Sequence, residues 1–468
     1  MKKLIKYSLI LFIFQLLSCQ NDDAAYVDID NNLKPEAGEE YSGGQATVFN
    51  SSEEAFGFST KNLTADEESD FGIGNSFFRQ SWVSSPASTT ARDGLGPFFN
   101  AHACSSCHFK DGRGRPPAFD GELSRGLLLR LSIAGSHPNG NSFSDPIYGG
   151  QLQDNAILGQ VIKGKYAINY QNITETLADG TIVNLQKPNY VINNLGYGPL
   201  ASGLLVSPRV ANQIIGLGLL EAVSESTILA FATSNTANGV SGKANYVYDV
   251  ESNSQKLGRF GWKANQPSIR QQVAGAFSGD MGITSSIFPN ENVPFGVDLS
   301  QIPNGGSPEI SNLNFDRVVL YSATLAVPAR RNFDQQNVLK GKQIFNDIAC
   351  ASCHIPKMQT GTNYNISALR NQTIRPYTDL LLHDMGNDLA DNAPDFLANG
   401  NEWRTPPLWG IGLISTVNKH TNLLHDGRAR SIEEAILWHG GEGLYAKNKY
   451  KQLSASQRNE LISFLNSL

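Results

Sequence analysis

The feature that most constrains this chain is a doubled motif. Cys104-Ser105-Ser106-Cys107-His108 returns as Cys350-Ala351-Ser352-Cys353-His354. Cys-x-x-Cys-His is the attachment pattern of c-type haem. Two thiols one helical turn apart reach the two vinyl groups and form thioethers, and the adjacent His coordinates the iron from the proximal side. A redox Cys pair does not need the His, and no further Cys pair is present to complete a zinc site. The sequence therefore predicts two covalently bound haem c groups. Cys104, Cys107, Cys350 and Cys353 are the attachment points, and His108 and His354 the proximal metal ligands.

The remaining cysteine, Cys19, has a separate explanation. Lys2, Lys3 and Lys6 precede an apolar run, Leu9 to Leu17, broken only by Gln15 and ending in Leu16-Leu17-Ser18-Cys19. Such a run is too short for a comfortable membrane span and resembles a bacterial lipoprotein signal, residues 1–19. Cleavage would leave Cys19 as an acylated N-terminus and anchor an otherwise soluble protein. Haem attachment outside the cytoplasm agrees with export. The expected location is the bacterial cell envelope, lipid-anchored and facing the periplasm or the cell surface. Residues 20–47 are polar and acidic and read as a flexible tether. With a net charge of −6, no nucleic-acid footprint is expected.

The 468 residues allow two or three domains with real cores. Asp334 to Asn346 reads as a helix, with Val338, Gly341, Ile344 and Phe345 on one face just before the second motif. Ser454 and Gln457 form a capping box ahead of Leu461, Ile462, Phe464, Leu465 and Leu468. A Gly followed four residues later by an aromatic, ahead of Cys-x-x-Cys-His, is similar to the N-terminal helix of cytochrome c. Two such helices crossing beside a haem imply a C-terminal cytochrome c domain over 331–468. An N-terminal haem domain would span 48–330, with Phe77, Phe78 and Trp82 as apolar surface for the first haem. Between Leu127 and Tyr248, short strands alternate with Gly/Asn/Pro turns. That stretch reads as an insertion covering the first haem. The fold class expected is mainly α: two cytochrome c-like haem domains, the first carrying a large mixed α/β and loop insertion.

Further site residues follow from chemistry. Arg113 and Arg115, in a basic loop after His108, are candidate partners for haem propionates, against the alternative of a solvated loop. Glu221 is the one carboxylate inside an apolar run: a buried distal acid, or a helix-end residue facing water. Ser431 and Glu434 start a helix on which Ile432, Ala435, Ile436 and His439 share a face. His439 is thus a candidate sixth ligand of the second iron, with Met385 as its rival. His383 and His425, each followed by Asp, read as structural or propionate-binding. For the first iron, a sixth ligand would have to be His102 or His137. An open site there would instead admit a small oxidant.

Three segments carry a resemblance. His425-Asp426-Gly427 with Ser431, Glu433 and Glu434 resembles the segment that precedes the distal-ligand helix in bacterial di-haem cytochrome c peroxidases and in the related enzyme that builds a tryptophan-derived quinone in a partner protein. The ligand there falls fourteen residues after the His, which is His439 here. Met or Tyr is usual at that place, so His implies a low-potential, bis-His haem. Arg259-Phe260-Gly261-Trp262, with Gln272, resembles the family segment whose Trp lies between the haems and whose Gln lies over the peroxidatic iron. Asp280-Met281 matches its carboxylate-Met pair if two residues are deleted, and Lys263 replaces the family's Asp. With Glu402-Trp403-Arg404-Thr405-Pro406-Pro407 and Trp438-His439-Gly440-Gly441-Glu442, the chain is most similar to the branch named di-haem oxidoreductases, also labelled thiol oxidoreductases.

The resemblance implies a peroxidase-like oxidoreductase. Hydrogen peroxide or a similar oxidant would bind at the first haem, Asp280 or Glu221 would move the proton, Gln272 would position, and Trp262 would bridge to the electron-transferring second haem. Electrons would come from a small cytochrome, a cupredoxin or an oxidisable protein substrate. A calcium ion is compatible with the resemblance, but no ligands can be assigned from sequence. Two other readings stand beside it: a non-catalytic di-haem electron carrier, and an accessory to iron acquisition.

Overall fold

The structure, a computed structural model, describes residues 33–468 apart from 120, 123–125 and 235–236. The leader, Cys19 and the first part of the tether lie outside the described residues. Within the described part of that stretch, Glu39 is fully buried and pairs with Arg330 and, at 2.6 Å, with Lys342. Among the described residues no helix is long and apolar enough to cross a membrane.

Six helices and six strands position the site. The helices are α1 (Ala65–Arg79), α2 (Ile269–Asp280), α3 (Asn312–Thr324), α4 (Gln336–Asp347), α5 (Ile432–Leu437) and α6 (Ala455–Ser467). The strands are β1 (Leu127–Ser136), β2 (Lys165–Thr176), β3 (Ile182–Asn193), β4 (Leu205–Val210), β5 (Leu382–Asp384) and β6 (Glu402–Arg404).

The α4–α6 crossing expected from the sequence is present, and its contact point is Gly341. A Cβ there would lie 2.0 Å from the Glu460 carbonyl oxygen and 2.8 Å from the Phe464 Cβ. Only a glycine lets the backbones approach this closely. Phe345, one turn later, meets Phe464 at 5.1 Å and the His354 ring at 6.3 Å between centroids.

A second crossing repeats this plan around the first motif. On α1, a Cβ at Gly74 would lie 2.1 Å from the Arg317 oxygen and 2.9 Å from the Tyr321 Cβ on α3. Phe78, again one turn on, meets Tyr321 at 5.2 Å and the His108 ring at 6.1 Å. Thr64 and Glu67 form a capping box that starts α1, with Asp66, Glu67 and Glu68 in its first turn, where the helix dipole favours negative charge. The chain thus holds two helix pairs of one design, α1/α3 behind Cys104–His108 and α4/α6 behind Cys350–His354.

The class is mixed α/β, which corrects the mainly α expectation: 29% of residues are helical and 19% lie in strands, in several small sheets. The strands come largely from the stretch between the first motif and α2. β1 pairs antiparallel with β4, from Leu127 opposite Val210 to Ser132 opposite Leu205. β2 and β3 form a hairpin with every residue paired from Lys165–Asn193 to Thr176–Ile182. That hairpin does not simply cover the first motif. Leu177 and Leu185 join the core of the α4/α6 pair, and Glu175 pairs with Lys447 and Lys451 at 2.7 Å. β5 and β6 pair beside the second motif, with His383 opposite Trp403.

Candidate functional site

The two motifs adopt the same local geometry. Cys104–Cys107 is one helical turn, and the His108 N–H donates to the Cys104 carbonyl at 2.9 Å. At the second motif a 3-10 turn does the same, with the His354 N–H to the Cys350 carbonyl at 3.0 Å. The His108 Nδ1 lies 2.7 Å from the Asn212 carbonyl, and the His354 Nδ1 lies 3.0 Å from that of Tyr377. A carbonyl only accepts, so each Nδ1 carries the proton and each Nε2 keeps a lone pair. Burial lowers the basicity of His108 and pushes His354 down to about 3, so both rings stay neutral and competent to bind a metal. None of the four thiols is in a disulfide, and burial pushes Cys104 and Cys350 up to about 12.

One cavity of 420 Å³ runs past both motifs. Its wall includes Cys107 and His108 at one end and Cys350, Cys353 and His354 at the other. Trp262 stands on the wall, buried, with its Nε1 donating to the Val210 carbonyl at 2.7 Å and the Arg113 guanidinium 5.0 Å from its ring centre.

At the His354 end, His439 and Met385 both line the cavity. α5 begins as the sequence predicts, with the Ser431 hydroxyl accepting from the Glu434 N–H at 3.1 Å. His439 follows α5, and its Nδ1 lies 2.7 Å from the Ala435 carbonyl, the same tautomer-fixing contact that His108 and His354 make. After burial, the nearby His439 is the next largest cause of the low basicity of His354. The two rings are therefore near enough for the charge of one to act on the other.

The wall also carries Asn100, Arg130, Gln151, Gln272 and Asp280, and the Asp280 charge acts on the Cys104 and Cys107 thiols of the first motif. Asp280 ends α2, and its Oδ1 accepts from the Gln151 Nε2 at 2.7 Å. Gln151 also donates to the Asn100 Oδ1 at 2.8 Å. Burial raises the pKa of Asp280, opposed by the Gln151 hydrogen bond and the charge of Arg130. This is a carboxyl able to hold a proton. His102 and His137 are not on the cavity wall: each is exposed, His102 against Phe99 at 4.6 Å and His137 against Phe143 at 4.7 Å.

Two expected site residues also stand apart from the cavity. Arg115 makes a bidentate pair with Glu122 at 2.8 and 2.6 Å. Glu221 accepts from the Ile269 N–H at 2.7 Å and from the Tyr364 hydroxyl at 2.5 Å, so it satisfies the N-terminus of α2.

The donor set fits two haems. Three arginines on the wall, Arg113, Arg130 and Arg404, have no carboxylate within ion-pair distance among the described residues. Arg113 and Arg404 are buried on carbonyl oxygens, Asn422 and Gly261, at 2.8 Å each, and burial pushes both down to about 10. Unpaired buried cations are costly unless an anion arrives, and haem propionates are such anions. Of these, Arg130 and Arg404 were not singled out by sequence reasoning, and neither were Asn100 and Gln151. Arg404 lay inside a segment already noted, whereas Arg130 and Gln151 carried no sequence signal.

His383 is saturated by carboxylates. Its Nε2 lies 2.8 Å from Asp379 and its Nδ1 2.7 Å from Glu442, and these contacts outweigh its burial to hold it up to about 12. It is a buried imidazolium, 3.6 Å from the Cys353 sulfur. His425 stacks on Trp403 at 3.8 Å, and burial pushes it down to about 3.

The sequence model of the family described as "Di-haem oxidoreductase, putative peroxidase" matches residues 37–468. No curated protein matches the chain.

Proposed function

The chain belongs to this family of di-haem oxidoreductases, and from that premise we propose that it is an exported, peroxidase-like enzyme with a catalytic first end and an electron-transferring second end. The reading is supported above all by the asymmetry of the cavity. His439 stands on the wall with His354, whereas the His108 end carries Asp280 and Gln151, and His102 and His137 are off the wall. A second end with a side chain able to ligate and a first end lined instead by a carboxyl and amides suits a division between electron transfer and oxidant binding.

Bound here, two haems would supply one-electron redox chemistry and an open coordination position for hydrogen peroxide. The protein does the rest. Cys104 and Cys107, and Cys350 and Cys353, attach the groups. His108 and His354 would each ligate an iron. His439, with Met385 the alternative, would be a further ligand at the second end, and Arg113, Arg130 and Arg404 would neutralise propionates. Asp280 accepts a proton from the inner peroxide oxygen at its carboxylate and returns it to the outer, leaving oxygen. Gln151 fixes that carboxylate, and Gln272 orients the oxidant. Trp262 couples the two ends. Reducing equivalents come from a small cytochrome, a cupredoxin or an oxidisable partner protein, and acylated Cys19 holds the enzyme at the envelope.

Intact-mass analysis and peroxide turnover of the purified holoprotein test this. The expected result is two covalent haem additions, and a rate in Asp280→Asn lower by about 10²–10⁴. A wild-type rate in Asp280→Asn, or a chain without haem, would overturn the assignment.

A further inference from the structure

The two helix crossings are built alike but differ at one side chain. Where α6 presents Phe464, α3 presents Tyr321. Both rings are buried, and both pack on the phenylalanine that faces the proximal histidine. The Tyr321 hydroxyl donates to Asp111 Oδ1 at 2.5 Å, and Asp111 is 3% exposed. Asp111 lies three residues after His108, in a segment where Lys110 and Asp111 both take positive φ, +49° and +63°. The corresponding residue after His354 is Lys357, whose side chain is half exposed. Among the described residues Asp111 has no ion pair, and Tyr321 is the one side chain that hydrogen-bonds to it.

The second crossing shows that a phenylalanine is enough for the packing. A buried carboxylate held in left-handed backbone costs desolvation and strain that the crossing does not require. What the pair adds is chemistry: a phenol with a proton acceptor in a short hydrogen bond, one aromatic ring away from His108, at the end of the cavity assigned to the oxidant. Ser322, the neighbour of Tyr321, is on the cavity wall.

We propose that Tyr321, with Asp111 as its proton acceptor, is a one-electron donor to the first haem site. The inference rests on the peroxidase reading above. Tyr321 loses one electron towards that site, and its hydroxyl proton moves to Asp111 Oδ1. A neutral tyrosyl radical and a neutral carboxylic acid remain. The oxidant is hydrogen peroxide. It takes this electron and one from the second haem, with two protons from solvent, and leaves as two waters. The radical is then re-reduced by the same external donor.

The test is EPR of the holoprotein frozen after one equivalent of hydrogen peroxide, with the Soret band recorded in parallel. Wild type should give a tyrosyl radical whose lines narrow when the protein is made with ring-deuterated tyrosine. Tyr321→Phe should lose it. That variant copies the side chain of the second crossing, so it should fold. Asp111→Asn keeps the hydroxyl but removes the proton acceptor, and should diminish the signal. A full-intensity radical in Tyr321→Phe overturns the assignment to Tyr321, and an unchanged signal in Asp111→Asn overturns the role of Asp111. A peroxide-induced Soret change without any tyrosyl signal overturns this inference alone. No Soret change at all overturns the peroxidase reading and this inference with it.

Discussion

Replacing His383 by Gln should destabilise the protein by about 4 kcal/mol near neutral pH, the usual cost of removing one partner from a buried, hydrogen-bonded charge set. The structure supplies the reasons. His383 is 2% exposed, Asp379 is fully buried, and the ring bridges Asp379 and Glu442 with contacts of 2.8 and 2.7 Å. Burial alone would lower the basicity of the ring, but the two carboxylates hold it up to about 12. Its folded-state pKa is raised above its unfolded value, so its contribution is complete below about pH 6.5 and is lost only as pH rises towards 12. Glutamine donates from a single amide nitrogen and carries no charge, so Asp379 and Glu442 are left as a like-charged pair. Because the wild-type contribution is complete only below about pH 6.5, the deficit of the variant should grow by about 1.4 kcal/mol as pH falls from 7.5 to 5. Guanidinium unfolding followed by tryptophan fluorescence, at pH 7.5 and pH 5, reads both effects. A deficit below about 1 kcal/mol that is the same at the two pH values would refute the bridging-imidazolium reasoning.

Gly74→Ala and Gly341→Ala should each cost about 1–3 kcal/mol, because the new methyl would lie 2.1 or 2.0 Å from a facing backbone oxygen; melting curves that match wild type would contradict the twin-crossing description. His425 is held neutral by burial, so between its unfolded pKa and about 3 the unfolded chain binds the extra proton and stability falls as pH drops. From pH 7 to pH 5 that loss is about 1.5–2 kcal/mol, and His425→Gln should remove it from the pH profile of unfolding; an unchanged profile would show that His425 does not titrate in this range.

The parts of the site that were legible in sequence are those whose signal is local. The haem motifs need five consecutive residues. The α4 face could be read because Gly341, Phe345 and Cys350 lie within one short stretch, and His439 because its helical spacing and capping signal agree. The α1/α3 crossing carries the same glycine and aromatic, but a long loop separates Phe78 from Cys104 and its partner helix comes far downstream, so no window holds the pattern. Arg130 and Gln151 belong to the inserted β region, Arg130 on the exposed face of its strand and Gln151 outside the strands, so the alternation says nothing of a cavity there. Glu221 was read as a candidate distal acid from its apolar surroundings, yet it caps α2. An apolar run does not distinguish a catalytic carboxylate from one that satisfies a helix end. The mainly α expectation followed from treating the strands as decoration on haem-bearing helices, whereas the β2–β3 hairpin joins the core of the α4/α6 pair.

The most direct test of the account is low-temperature EPR of the ferric holoprotein, wild type and His439→Ala, before and after hydrogen peroxide and again after half-reduction. The account predicts one high-spin and one low-spin centre in wild type, loss of the high-spin signal on adding peroxide, and loss of the low-spin signal in His439→Ala. Two low-spin centres, unchanged by peroxide in either redox state, would contradict it and leave an electron carrier without a site for the oxidant.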